Sequence, residues 1–470
     1  MKNYRFAIKL LLIGFIMFLL FIPQAMLMGL ISERAGWRQS AYDSIQQSWP
    51  GAQTIAGPIL SIPYQITRLV KETIKDKDGA EREISKRVVE SDVLRIIPKT
   101  LQVASTLNSE LRYRGIYEVP VYSNQLQLSG AFSFEALQEL AQLYKDNELK
   151  LGISEIAILV SDQRGINAPS AFTWGGNTYA FKPSNNLPGS SAGMHAKLNS
   201  LDLQALPSSI PFSLQLELRG MASMNYALLA EASEVKLHAN WPHPKFTGEL
   251  LPETRTITEQ GFEAQWKATS FSYNVTQSLN DCAQGQCSSL LNRAVGFDLL
   301  QPVDVYQQAE RSVKYAVLFI ILTFVALVLF ELLKQLRIHP IQYILVGLAL
   351  IMFYLLLISL SEHFDFLRAY VVAALASVGL LTVYFGAILK STRLGLILGA
   401  SLALLYAVLY GILQAEDNAL LLGSLLLFVM LAVLMLSTRH FDWYALAASM
   451  ADTKTSEIIK PLPSVEKHDV

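Results

Sequence analysis

Residues 310–343 read ERSVKYAVLFIILTFVALVLFELLKQLRIHPIQY, and this stretch separates two parts of the chain that differ in character. Its centre, residues 313–330, has no charge except Lys314 at its edge. It is long enough to cross a hydrocarbon core of about 30 Å as a helix. A long polar region precedes the stretch, and almost entirely apolar sequence follows it. The sequence therefore predicts a water-exposed domain joined here to a membrane bundle.

The composition supports a membrane protein, because only 16% of the 470 residues are charged and 52% are hydrophobic. Globular chains carry about 25% charged residues. Including the central span, we predict a bundle of six transmembrane helices, one N-terminal and five C-terminal, with a large β-rich domain inserted between the first and second. The other five predicted spans are residues 10–31, 341–360, 369–389, 394–413 and 419–437.

The N-terminal apolar run is predicted to be an uncleaved anchor. Lys2, Arg5 and Lys9 precede it, as basic residues precede both anchors and signal peptides. The run is longer than the 7–15 residues of a signal-peptide core and lacks a small-x-small cleavage site. A cleaved signal peptide is the alternative. Residues 33–49 predict a helix that continues from the anchor, because Trp37, Ala41, Ile45 and Trp49 recur at steps of four.

Residues 52–297 show short alternating runs of apolar and polar residues, punctuated by Gly, Pro and Asn. This pattern is typical of many short strands and favours an antiparallel sandwich or an extended twisted sheet. One helix is predicted at residues 133–144. The stretches that begin at Leu111 and Leu218 are weakly similar, which suggests two β units and hence two lobes.

The loop charges predict the orientation, because basic loops stay on the cytoplasmic side. Both termini are then cytoplasmic and residues 32–312 lie outside, in the periplasm of a bacterial cell. The predicted domains are an anchor (1–31), a periplasmic β-rich domain (32–312), a five-helix bundle (313–438) and a cytoplasmic tail (439–470). The basic loops hold Lys334, Arg337, His339, Lys390, Arg393, Arg439 and His440, and the acidic ones hold Glu362, Asp365, Glu416 and Asp417.

Cys282 and Cys287 are the two cysteines of the chain and lie in a Gln/Gly/Ser-rich loop. A local disulfide is the first interpretation, because the periplasm is oxidising; free thiols are the alternative. A metal site needs further ligands nearby, and the neighbouring sequence has none. We therefore predict neither a metal nor another cofactor.

Two acidic outer loops carry the candidate catalytic residues Glu362, His363, Glu416 and Asp417. Carboxylates beside an imidazole at a membrane boundary can act as general acid and base, hold a divalent cation or line a proton path. Polar capping of the helices, or docking to basic groups of the β domain, explains the same residues. The sequence lacks a P-loop, a dinucleotide fingerprint, a nucleophile elbow and an HExxH motif, so a non-enzymatic role is favoured. The net charge of −1 gives no reason to expect a nucleic-acid partner.

Several long motifs resemble the CreD family of bacterial inner-membrane proteins, and together they cover nearly the whole chain except the tail. The resemblance implies an inner-membrane protein that supports cell-envelope integrity, within a regulon controlled by a two-component sensor–regulator pair. The family has no agreed biochemical activity or catalytic residues, so none is transferred. The motifs are ERSVKYAVLFIILTF, HPIQYILVGLALIMFYLLLISLSEH, LQAEDNALLLGSLLLF, STRHFDWY, ERAGWR, GPILSIPY and WPHPKFTGELLPE.

Three functional hypotheses follow. The first is a non-enzymatic envelope protein whose β domain contacts envelope proteins or lipids on the periplasmic face, with the lipid bilayer as the partner of the bundle. The second is a transporter of a lipid or an envelope precursor. The third is a membrane-boundary enzyme that uses the outer acidic and histidine loops.

Overall fold

The computed structural model describes residues 3–75, 81–169, 171–190, 192–272, 275–299, 305–333, 338–414 and 419–439. The chain divides into two compact units. The membrane unit comprises Met1–Trp37 and Val303–Val470, and the β unit comprises Arg38–Pro302.

The membrane unit is helical, as the apolar runs predicted, but the predicted count of six spans needs a correction. Among the described residues, five helices are long and apolar enough to cross a membrane. In the last helix the apolar described part, Leu421–Leu436, gives only about 24 Å at 1.5 Å per residue. The helices of this unit are α1 (Asn3–Ser48, whose C-terminal end belongs to the β unit), α4 (Val305–Leu333), α5 (Pro340–Ser361), α6 (Phe366–Ile388), α7 (Thr392–Gln414) and α8 (Ala419–Thr438).

The anchor and the helix predicted after it form one helix, α1, which contains Pro23. One face of its apolar part is buried, at positions three, four or seven residues apart, as a helix that packs on one side requires. Its side chains at these positions are Ile13, Ile16, Leu20, Leu27 and Ile31.

Helices α6 and α7 approach closely through glycine. A Cβ atom added to Gly395 would lie 2.6 Å from the Cα atom of Gly386. Without a hydrophobic driving force between helices in lipid, small residues permit the close packing that holds such helices together.

The β unit contains eighteen strands among the described residues, and two short helices, α2 (Glu135–Leu143) and α3 (Val275–Ala283). Helix α2 lies within the predicted helix at residues 133–144. The strands are β1 (Gln53–Lys75), β2 (Glu81–Ile96), β3 (Thr100–Arg114), β4 (Tyr117–Ser133), β5 (Glu148–Leu151), β6 (Glu155–Val160), β7 (Ile166–Pro169), β8 (Phe172–Trp174), β9 (Asn177–Tyr179), β10 (Lys182–Pro183), β11 (Gly193–Lys197), β12 (Ser209–Met221), β13 (Ser223–Ala227), β14 (Ala232–Ala239), β15 (Pro244–Gly248), β16 (Thr254–Thr258), β17 (Gly261–Thr269) and β18 (Ala294–Leu299).

These strands form two nine-stranded sheets. Sheet A has the order β10-β11-β6-β1-β13-β18-β15, and β2 and β5 also pair with β1. Sheet B has the order β16-β17-β14-β3-β4-β12-β8-β9, and β7 also pairs with β12. The sheets are mixed rather than purely antiparallel, because β1 pairs with β13 and β3 pairs with β14 in parallel.

Side chains from both sheets form one hydrophobic core cluster, and the suggested division into two lobes stays a prediction. Sheet A contributes residues such as Ile59 and Phe297, and sheet B contributes residues such as Leu128 and Trp266. All four are at most 1% exposed. The alternation of each strand places one set of side chains in this core and the other set on the opposite face of the sheet.

The C-terminal end of α1 packs on one end of the outer face of sheet B. There the face is apolar, with Val119, Val121 and Met221, and it is covered by Tyr42, Ile45 and Trp49. The indole nitrogen of Trp49 donates to the carbonyl oxygen of Gly220 at 3.0 Å. Elsewhere on this face the outward-pointing residues are mostly polar, and they are apolar where the helix covers them.

An Asp162–Arg164 pair clamps this end of α1 to the sheets. The Arg164 guanidinium donates to the carbonyl oxygens of Gln46 and Gln47 at 3.0 and 3.2 Å, and so satisfies carbonyls that a helix end leaves unpaired. Asp162 accepts from Arg164 Nη2 at 2.7 Å and from the backbone N–H of Gly51 at 3.0 Å. The hydrogen bond from Arg164 is the main reason why the pKa of Asp162 is lowered to about 2.

We expect Asp162→Asn to lower the free energy of unfolding of the β unit by about 1–2 kcal/mol at pH 7. Because the folded-state pKa lies below the unfolded value, this stabilisation is present above about pH 4 and is lost as the pH falls towards 2. Denaturant unfolding of the full-length protein, followed by tryptophan fluorescence, measures it. The difference from the wild type should shrink between pH 7 and pH 3; a constant difference would contradict the electrostatic origin.

Candidate functional site

The open part of the outer face of sheet B is the candidate site. On five neighbouring strands, from β17 to β12, alternate residues are buried in the core, and the residues between them are mostly polar and are exposed or half-buried. Every residue of β16, at the edge of the sheet, is exposed. The same outer face therefore has an apolar end under α1 and a polar, uncovered remainder.

Strand pairing aligns these polar side chains in rows that cross the sheet. Each row takes one residue from each of six neighbouring strands, and the two rows lie two residues apart along every strand. The first row is Thr256, Glu263, His238, Thr106, Gln125 and Glu217, and the second is Thr254, Gln265, Lys236, Ala104, Gln127 and Gln215.

A groove of about 370 Å³ lies between the two rows, over β16, β17, β14 and β3. Three consecutive residues of each strand line it, so the groove crosses the strands rather than following one of them. Its volume is within the range of small-molecule sites. Ala104 is exposed and contributes only a methyl group, whereas its cross-strand neighbours Lys236 and Gln127 have long side chains.

The charges of the groove are paired with one another. Lys236 Nζ lies 3.3 Å from Glu234 Oε1, and the Gln265 amide donates to the same oxygen at 2.6 Å. His238 Nδ1 lies 3.4 Å from Glu263 Oε1. Since these contacts engage Lys236 and Glu263, the groove offers mainly hydroxyl and amide groups to a ligand.

Arg255, the middle residue of the groove lining on β16, alternates with Thr254 and Thr256. Its guanidinium lies 5.9 Å from the centroid of the Phe246 ring, which is in cation–π range. Phe246 packs against the hydrophobic core, so the guanidinium is held on the core side of the strand.

Glu362, the first sequence candidate, lies at the C-terminal end of α5 and faces other members of the membrane unit. Its Oε1 is 3.5 Å from Arg34 Nε and accepts a hydrogen bond from the Tyr306 hydroxyl at 3.4 Å. Its side chain is only 12% exposed. Glu362 therefore pairs with a basic residue of α1, Arg34. The alternative suggested by the sequence was that this loop docks to basic groups of the β domain.

Within the described part of the acidic loops, none of the other candidate residues pairs with Glu362 as an acid or a base. His363 follows in the turn after α5. Asp365 caps α6 by accepting from the backbone N–H of Arg368, and its side chain also pairs with that arginine at 3.0 Å. Glu416 and Asp417 lie outside the described residues. A catalytic role for Glu362, His363, Glu416 and Asp417 stays a prediction.

A second charged cluster lies at the opposite end of the membrane unit. Lys9 of α1 pairs with Glu331 of α4 and also donates to the carbonyl oxygen of Ile338 at 2.8 Å. Glu331 further accepts from the Tyr343 hydroxyl at 2.9 Å and from the backbone N–H of Ile338 at 3.2 Å. This cluster joins α1, α4 and α5.

Buried hydroxyl groups also occur inside the bundle. The Tyr370 hydroxyl donates to the backbone carbonyl of Tyr406 at 2.8 Å, and the Ser377 and Tyr406 hydroxyls are 3.2 Å apart. Phe353 packs against Tyr406 with ring centroids 4.4 Å apart. These hydrogen bonds connect α6 and α7 and are the kind that holds transmembrane helices together.

Cys282 and Cys287 are fully buried in the core of the β unit. The structure joins them as a disulfide between the end of α3 and the short 3-10 helix that follows. Among the described residues there is no group of three or more His, Cys, Asp and Glu side chains that could hold a metal ion.

The family model described as inner membrane protein CreD matches residues 5–444. The inner membrane protein CreD of Escherichia coli (strain K12) is 36% identical over 428 residues, which is 91% of each chain. Among solved structures, an M1 zinc metallopeptidase from Deinococcus radiodurans has a TM-score of 0.16 at 8% identity, over 36% of this chain and 38% of that one. The Salmonella secretin InvG has a TM-score of 0.07 at 9% identity, over 36% and 62%. Similarities at these TM-scores are evidence neither for a shared fold nor for a shared function.

Proposed function

This chain belongs to the CreD family of inner membrane proteins, and we propose that it supports cell-envelope integrity without catalysing a reaction. In this proposal the β unit lies in the periplasm and contacts envelope components, while the helices hold it to the bilayer. The observation that carries the proposal is the open, polar outer face of sheet B with its groove. An uncovered face of this kind is suited to binding, because its donors and acceptors are presented on a rigid sheet.

The orientation is part of the proposal, and it rests on the basic and acidic loops. Both termini are cytoplasmic, which requires α8 to cross the membrane. The apolar part of α8, Leu421–Leu436, gives about 24 Å, so whether α8 crosses is the step that reporter fusions test. A fluorescent reporter that folds only in the cytoplasm should be active when fused after residue 440, and a periplasm-dependent reporter inserted at the turn of Gly175 and Gly176 should also be active. An inactive fluorescent reporter at residue 440 would mean that α8 does not cross the membrane, and the proposed cytoplasmic C-terminus would be wrong.

The non-enzymatic role is tested at the acidic-loop candidates. In a strain that lacks the gene, Glu362→Ala and His363→Ala should each restore growth in the presence of detergent as well as the wild type does. The physical reason is that Glu362 already contacts Arg34 and Tyr306. We therefore expect its removal to affect stability and not a catalytic step. If either variant is present at wild-type level in the membrane and fails to restore growth, the result supports the enzyme hypothesis and contradicts this proposal.

A further inference from the structure

We propose that the groove on sheet B binds a neutral, N-acetylated saccharide chain, an inference that rests on the proposed function because it names the partner of the same face. The groove crosses four strands, which at about 4.8 Å between neighbours places its outer strands about 14 Å apart. This length suits a segment of a polymer better than a single ion.

The direction of the groove argues against a peptide strand. An added strand hydrogen-bonds along the free edge of a sheet, parallel or antiparallel to the edge strand. The groove instead crosses the strands, whose backbone groups are already used in the ladders between β16, β17, β14 and β3. A ligand in the groove must therefore be recognised by side chains.

The side chains that are available there match a saccharide. The Thr106, Thr254 and Thr256 hydroxyls and the Gln265 amide line the groove, and each both donates and accepts hydrogen bonds, as a sugar hydroxyl or an acetamido group does. The methyl group of Ala104 supplies an apolar position of the size of an acetyl methyl.

The charge balance selects a neutral ligand. Lys236 is paired with Glu234, and His238 is paired with Glu263. An anionic ligand would have to separate Lys236 from Glu234, and a cationic one would have to separate Glu263 from His238. A charged ligand would therefore have to displace an existing contact, whereas a neutral polar chain does not.

The test uses the full-length protein in phospholipid nanodiscs, without sugar-based detergents, and titrates it with the N-acetylglucosamine tetramer chitotetraose by calorimetry. Wild-type protein should bind it saturably. Ala104→Arg fills the floor of the groove and should weaken binding at least tenfold. Ala232→Arg is the matched control, because Ala232 is exposed on the same face of β14 but does not line the groove; it should bind as the wild type does.

Two outcomes would overturn the inference. One is the absence of saturable chitotetraose binding by folded wild-type protein, including the case in which only a neutral peptide or a polyphosphate binds. The other is equal binding by wild type and Ala104→Arg. Neither outcome touches the proposed function, which is judged separately by growth of cells that carry the same two variants. If Ala104→Arg fails to support growth while wild type binds no chitotetraose, the face is functional and the saccharide assignment is wrong.

Discussion

Replacing Glu331 with leucine is expected to lower the free energy of unfolding of the membrane unit by about 3 kcal/mol. The Glu331 side chain is only 14% exposed and accepts hydrogen bonds from Lys9, Tyr343 and the Ile338 N–H. Removing one partner of a largely buried ion pair costs about 3–5 kcal/mol, because the remaining charge stays buried without compensation. The Lys9 side chain is 24% exposed and can move partly towards water. We therefore expect a loss of stability at the lower end of this range.

Thermal and denaturant unfolding of the full-length protein in one detergent measures this effect. The double variant Lys9→Leu, Glu331→Leu removes both charges and should recover most of the loss, since an apolar pair of similar volume is often neutral at such sites. The coupling energy from the double-mutant cycle should then exceed 1 kcal/mol. If the double variant is as unstable as the sum of the single ones, the pair does not hold α1 to α4.

Replacing Asn124 with leucine is expected to lower the free energy of unfolding of the β unit by about 2–3 kcal/mol. Ser105 donates to Asn124 Oδ1 at 2.7 Å, the Asn124 amide donates to the Tyr226 hydroxyl at 3.2 Å, and the Tyr226 and Ser105 hydroxyls are 2.6 Å apart. The three side chains are at most 4% exposed. Because the Ser105 proton is used by Asn124, Tyr226 must donate to Ser105, and the three bonds form a closed ring.

The substitution opens this ring and leaves the Ser105 hydroxyl without an acceptor, and a stranded buried group costs about 1–3 kcal/mol in addition to the lost bonds. Burial raises the pKa of Tyr226 to about 12, so its hydroxyl remains a donor at neutral pH. The matched control is Gln125→Leu, at the next residue of β4 but exposed on the outer face; it should change stability by less than about 0.5 kcal/mol. Equal losses for the two variants would show that the ring does not stabilise the core.

The ends of α5 and α7 could be predicted from the sequence to within two residues, and the partners of these helices could not. Helix α3 was not predicted, and α4 begins eight residues before the predicted start of its span. The predicted run 341–360 is the helix Pro340–Ser361 and the run 394–413 is Thr392–Gln414, because a span of lipid demands an uninterrupted apolar segment. The link between Lys9 and Glu331 joins residues 322 positions apart. No local pattern records such a pairing, since each residue alone fits a charged membrane boundary.

The same division holds in the β unit. Alternation predicted a region of many strands, since the side-chain period of a strand is two. It predicted short strands, whereas β1 to β4 are 15 to 23 residues long. It did not predict the parallel pairs β1–β13 and β3–β14, because alternation specifies a face of a strand and leaves its neighbour open. The groove depends on that neighbour order: Lys236 and Ala104 lie on paired strands although β14 and β3 are far apart in sequence, and only β16 and β17 are consecutive.

The central claim is that the groove on the open outer face of sheet B is the working surface of this protein. The most direct measurement compares Ala104→Arg with Ala232→Arg in a strain that lacks the gene, at equal membrane levels of the two variants, by growth in the presence of detergent. Both changes add an arginine to the same exposed face, and they differ in whether it enters the groove. The account predicts that Ala232→Arg restores growth and Ala104→Arg does not. Full restoration by Ala104→Arg would contradict it.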